Sequence, residues 1–123
     1  MRITLLAATA AVAFAAPAHA GAGDDARAYV ERIGALDDQG PQIGAVILSL
    51  DADAAAAAAE RAEAAKLPLA GRTVLVKDNI ETREWPTTAG SNALADNRTI
   101  RDAPLIARLR EAGGVVLGKT NRS

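Results

Sequence analysis

Two short runs carry the residue types that could do chemistry. Each places a lysine between an apolar stretch and a polar, turn-prone tail: Val74-Leu75-Val76-Lys77-Asp78-Asn79 and Val115-Val116-Leu117-Gly118-Lys119-Thr120-Asn121. Between them lies the hydroxyl-rich stretch Thr87-Thr88-Ala89-Gly90-Ser91. Lys77, at the end of a buried strand, is poised for partial desolvation, which disfavours the ammonium and can leave a neutral amine able to accept a proton. The plainer reading is a lysine that closes a strand with its head in water. Ser91 can be read as a nucleophile or as a residue bonding its own loop backbone. The single histidine, His19, lies near the N-terminus, and the chain has no cysteine, so disulfides and thiolate chemistry are excluded. The carboxylates are scattered, without metal-ligand spacing.

The elements that must position these residues are legible from periodicity. Residues 24–38 predict an amphipathic helix, capped by Asp24 or Asp25 and burying Ala26, Tyr29, Ile33 and Leu36. Gln39-Gly40-Pro41 stops it, and residues 43–50 predict a strand. Residues 51–66 predict an alanine-rich helix with acids at its start and Lys66 near its end. Thr73 to Val76 is a short β-branched run that predicts a buried strand ending at Lys77. The chain is then irregular to about residue 101, with Trp85-Pro86 disfavouring helix. Asp102 is the expected cap of the next helix, with Pro104 in its first turn and Leu105, Ile106, Leu109 and Ala112 on its buried face. Gly113-Gly114 ends it, and Val115 to Leu117 predicts a second buried strand. Helices alternating with fully apolar strands point to a layered α/β fold with a largely parallel sheet.

The run from Gly71 to Ile80, the block Thr87 to Ser91 and the stretch Asp102 to Asn121 together resemble the amidase signature family, more specifically its peptide-amidase-type branch. The resemblance covers roughly residues 26–123, more weakly before Gly71. It implies an α/β fold, the N-terminal part of a mixed β-sheet sandwiched between helices. It also implies hydrolysis of a carboxamide C–N bond in a small-molecule or peptide amide through a Ser–cis-Ser–Lys triad, with no metal or organic cofactor. Carried onto this chain, Lys77 is the triad lysine. The family's two catalytic serines belong to a later serine-rich block, beyond Asn121-Arg122-Ser123, so neither is among these residues and Ser123 is in the wrong block. Arg122 stands where the family usually has an apolar residue. Two readings follow: the N-terminal fragment of an exported amidase, inactive by itself, or a non-catalytic exported remnant or binding fragment.

Composition narrows the rest. The 123 residues make at most one small domain; half are apolar, but much of that is alanine, and Phe14, Tyr29 and Trp85 are the only aromatics. Such a core is thin for a free-standing domain. Formal net charge is −1, with no basic run interleaved with aromatics, which argues against nucleic acid as a partner. Residues 1–20 read as a signal peptide, with Arg2, an apolar stretch too short to span a bilayer, and an Ala18-His19-Ala20 cleavage site. Export to the periplasm or medium is therefore expected, with no stable membrane anchor after cleavage, and residues 21–123 as the mature portion. Oligomeric state is not legible. Finally, Gly113 to Thr120 matches the pattern G-x-x-x-x-G-K-[ST] of a phosphate-binding loop. That mechanism needs a strand before the loop and a helix after it. Here a helix is expected before it, and Val115-Val116-Leu117 wants burial in a strand, so Lys119 is expected to be structural, or part of the pocket floor, and not a phosphate ligand.

Overall fold

The computed structural model describes residues 20–121; residues 1–19, all but the last residue of the stretch 1–20 read as a signal peptide, and the two C-terminal residues lie outside them. Three α-helices and three strands form an α/β arrangement: α1 (Ala22–Ile33), β1 (Val46–Ser49), α2 (Ala52–Ala64), β2 (Thr73–Lys77), α3 (Pro104–Glu111) and β3 (Val115–Thr120). The sheet order is β1-β3-β2, with β1 antiparallel and β2 parallel to the central β3. The sheet is thus mixed, as the family resemblance implies, and not largely parallel as the helix–strand alternation alone suggests.

Two apolar clusters flank β3. Val115 and Leu117 pack with Ala26, Ala55 and Ala59 of α1 and α2. Val116 packs on the other face with Val76 and Ile106, joined by Val74, Ile80, Trp85 and Leu109. Successive side chains of a strand point to opposite faces, so the unbroken run Val115-Val116-Leu117 supplies both layers. The alanines of α2 serve close packing, since side chains this small let α1 and α2 approach each other and the sheet. Asp51 caps α2, accepting a hydrogen bond from the Ala54 amide at 2.9 Å, an interaction worth about 1 kcal/mol.

Several expected details change. Gly21, not Asp24 or Asp25, caps α1; the two aspartates fall in its first turn, where they favour the positive end of the helix dipole. Beyond Ile33 the helix widens into a π turn over Gly34–Asp38. There the buried Asp37 carboxylate accepts the Ala45 and Val46 amides at 2.7 and 2.9 Å, binding the end of the helical segment to the start of β1. Tyr29 and Leu36 are exposed, because α1 turns its Ala26 side to α2. Asp102 does not cap α3: Ala103 holds the cap position. The Asp102 carboxylate instead accepts the Arg83 amide at 3.0 Å and pairs with Arg110 Nε at 3.0 Å, bracing the preceding loop against the helix. Of the face expected to be buried, Ile106 is enclosed but Leu105 is 65% exposed. α3 closes at Gly113, whose φ of 87° is the left-handed conformation that ends helices.

Candidate functional site

The C-terminal ends of β2 and β3 lie side by side, with Val76 opposite Lys119 and Lys77 opposite Thr120. The pairing shifts by one residue before this point: Val74 faces Val116, but Leu75 faces Gly118. Leu117 is therefore the extra residue of a β-bulge, and the bulge reverses which face the following side chains take. Without it Lys119 would share the face of Val115 and Leu117. With it, Lys119 shares the Val116 face and reaches beneath the turn that leaves β2.

Lys119 is fully buried. Its Nζ donates to the Ile80 carbonyl at 2.6 Å and to Thr82 Oγ1 at 3.5 Å, and lies 3.7 Å from Asp78 Oδ1. Burial pushes the Lys119 amine below the usual lysine range, and the attraction of Asp78, then of Glu84, opposes that push. Asp78, only 2% exposed, is the hub. Its carboxylate accepts the Thr88 amide at 3.3 Å and also the Thr88 hydroxyl. Its backbone amide donates to the Thr120 carbonyl at 3.0 Å, and its own carbonyl accepts the Ala89 amide at 3.2 Å. One aspartate thus ties the turn after β2, the hydroxyl-rich loop and the end of β3 into a single unit. The loop it holds contains two consecutive left-handed residues, Ala89 at φ 51° and Gly90 at φ 72°. A left-handed alanine persists only where its surroundings over-determine it.

Lys77 ends β2 with its side chain exposed. The expectation of a fully buried strand beneath it is corrected: β2 is an edge strand among the described residues, and only Val76 within it is buried. An edge strand has one neighbour, so the segment itself does not enclose the Lys77 amine. The desolvated lysine of this segment is Lys119. Ser91 precedes the 3₁₀ turn Asn92–Leu94 and makes no side-chain capping bond there; its amide donates to the Thr88 carbonyl, so it belongs to the same loop.

The phosphate-loop pattern falls away on geometry. Val115 to Thr120 is strand throughout, with β1 and β2 on its two sides, so its backbone belongs to the ladders and not to a loop around a phosphate. Gly118 has a different reason to be glycine: a Cβ there would collide with the Leu48 carbonyl oxygen of β1. Lys119 points inward to Ile80 and Asp78. The roles of Asp78 and Asp37 were not anticipated from the sequence; the only signal was an acid beside a turn, which solvated surface also provides.

A layered α/β unit with a mixed sheet, and a polar hub at the carboxyl ends of its parallel pair, defines the class. The family model described as Amidase matches residues 25–123, and the chain belongs to that family. A glutamyl-tRNA(Gln) amidotransferase subunit from Salinispora tropica is 44% identical over 101 residues, covering 77% of this chain and 20% of that protein. Its counterpart from Salinispora arenicola is 38% identical over 125 residues, covering 97% of this chain and 25% of its own length. Among solved structures, the native peptide amidase from Stenotrophomonas maltophilia is 43% identical with a TM-score of 0.72, covering 83% of this chain and 22% of that one. The chain therefore spans about a fifth to a quarter of the length of these relatives.

Proposed function

We propose that this segment is the lysine-bearing part of an exported amidase that hydrolyses a small-molecule or peptide amide, with Lys77 as the triad lysine. The observation that carries the reading is the Asp78 hub. The three sequence blocks on which the family resemblance rests meet there, and Lys77 stands at the carboxyl end of a strand, where open α/β sheets present ligand sites. Family membership and the similarity to peptide amidase support the amide substrate class. The nucleophilic and bridging serines come from residues outside this sequence.

In this mechanism Lys77, as a neutral amine, draws a proton through the bridging serine from the nucleophilic serine. The serine oxygen attacks the amide carbonyl, and backbone amides hold the oxyanion. The C–N bond breaks as the proton passes to the departing amine or ammonia. Water then attacks the acyl-enzyme and releases the carboxylate. The chemistry calls on no metal or organic cofactor. Ammonia release from a C-terminally amidated peptide, by an enzyme carrying this segment and the serine block, is the expected result; no turnover of any carboxamide refutes the assignment. Export is part of the proposal and rests on Arg2 and Ala18-His19-Ala20. N-terminal sequencing of exported protein should begin at Gly21, whereas intact Met1 in the soluble cytoplasm counts against it.

A further inference from the structure

A lysine asked to act as a neutral base has a carboxylate as its next residue. An uncompensated Asp78 would favour the ammonium form of Lys77 and hold its proton in place. The structure directs that charge elsewhere. The Asp78 carboxylate is buried against the Thr88 amide and hydroxyl, with the Lys119 amine 3.7 Å from Oδ1. The same Lys119 amine donates to the Ile80 carbonyl at 2.6 Å, fixing the turn in which Lys77 and Asp78 lie. That turn is closed by the Ile80 amide donating to the Lys77 carbonyl at 2.9 Å.

We propose that Lys119 is a positioning residue for the amide chemistry: it neutralises Asp78 and pins the Lys77–Ile80 turn, so that Lys77 can lose its proton in the working pH range. The proposal rests on Lys77 being the base. Lys119 does not touch the substrate; it acts through Asp78. The charged groups concerned are Lys77, Asp78 and Lys119, with a weaker attraction on Lys119 from Glu84 in the loop after β2. Across the ladder Lys77 faces the neutral Thr120.

The sign of each change follows from the charge left behind. Lys119→Met keeps an unbranched side chain of similar bulk but removes the amine and leaves Asp78 uncompensated, so Lys77 holds its proton more tightly. The acid limb of the kcat/KM profile should move upward by about one pH unit, the low end for a neighbouring charge. Asp78→Asn leaves the Lys119 charge uncompensated and should move the limb downward. The double variant Lys119→Met/Asp78→Asn, with neither charge, should lie between the two and near wild type. A lysine needed only to fill space would leave the limb of Lys119→Met on that of the wild type, and the limb of the double variant on that of Asp78→Asn.

The experiment is the pH profile of kcat/KM for amide hydrolysis in an enzyme carrying this segment and the serine block, with Lys77→Arg measured alongside. Opposite displacements in the single variants, cancelled in the double, support the proposal. An unmoved limb in Lys119→Met, or a double variant that stays with either single variant, overturns it. Should Lys119→Met fail to fold, Asp78→Asn and the double variant still decide: the first must fall and the second must return upward. Loss of turnover in Lys77→Arg with unmoved limbs removes only the positioning role, while retained turnover in Lys77→Arg removes the base assignment beneath it.

Discussion

The two lysine-bearing strand ends are built from similar sequence and end in opposite environments. Lys77 follows Val74-Leu75-Val76 and is exposed; Lys119 follows Val116-Leu117-Gly118 and is fully enclosed. The difference is position in the sheet. Among the described residues β3 is flanked by β1 and β2, whereas β2 has β3 alone. The bulge at Leu117 then directs Lys119 beneath the turn that carries Lys77. An apolar run followed by lysine therefore specifies a strand end but not the lysine's surroundings. The exposed lysine is free to meet groups from elsewhere in the protein, and the buried one is committed to Asp78 and Ile80.

The sharpest way to break this comparison is at Lys77. In an enzyme carrying the serine block, Lys77→Arg and Lys77→Ala should each lower kcat by at least ~10²-fold, the low end for general acid–base catalysis. Arginine keeps the charge but cannot give up its proton at working pH. The circular dichroism spectrum should stay that of the wild type, because an exposed side chain contributes little to packing. Near-wild-type turnover of Lys77→Arg would exclude proton transfer through this residue.

A smaller effect is expected on the buried strand. Gly118→Ala places a methyl group against the Leu48 carbonyl, which is backbone and cannot rotate away. Overpacking of this kind costs about 1–3 kcal/mol, so the melting temperature should fall while Lys77 remains in place. An unchanged melting temperature would mean that β1 and β3 separate more freely than their pairing implies.

The smallest effect sharpens the comparison by its absence. Calorimetry should give no ATP binding in the micromolar range, with or without magnesium, because Lys119 is buried and Gly118 lies within a strand. Binding that disappears in Lys119→Ala would reverse the reading of this strand end.

The sequence by itself determined most of the local structure. The β-branched runs at Thr73 and Val115, the Asp51 cap, Pro104 at the start of α3 and glycine after its end are short-range devices, and each works where the residue types place it. The three blocks also carried the resemblance to the family, and that resemblance implies Lys77 as the triad lysine. Only the tertiary structure decided which lysine is buried and what Asp78 does. Burial depends on how many strands flank a given strand, and face depends on a bulge that one extra residue creates. The same dependence explains the misread faces: Tyr29 and Leu105 have the correct period for packing, but a helix can turn only the side that meets a neighbour, and here those sides belong to Ala26 and Ile106. Asp102 shows the competition most directly. The sequence offers it as a cap, and the fold gives its carboxylate the Arg83 amide and the Arg110 guanidinium, partners that come within reach only after the chain has folded.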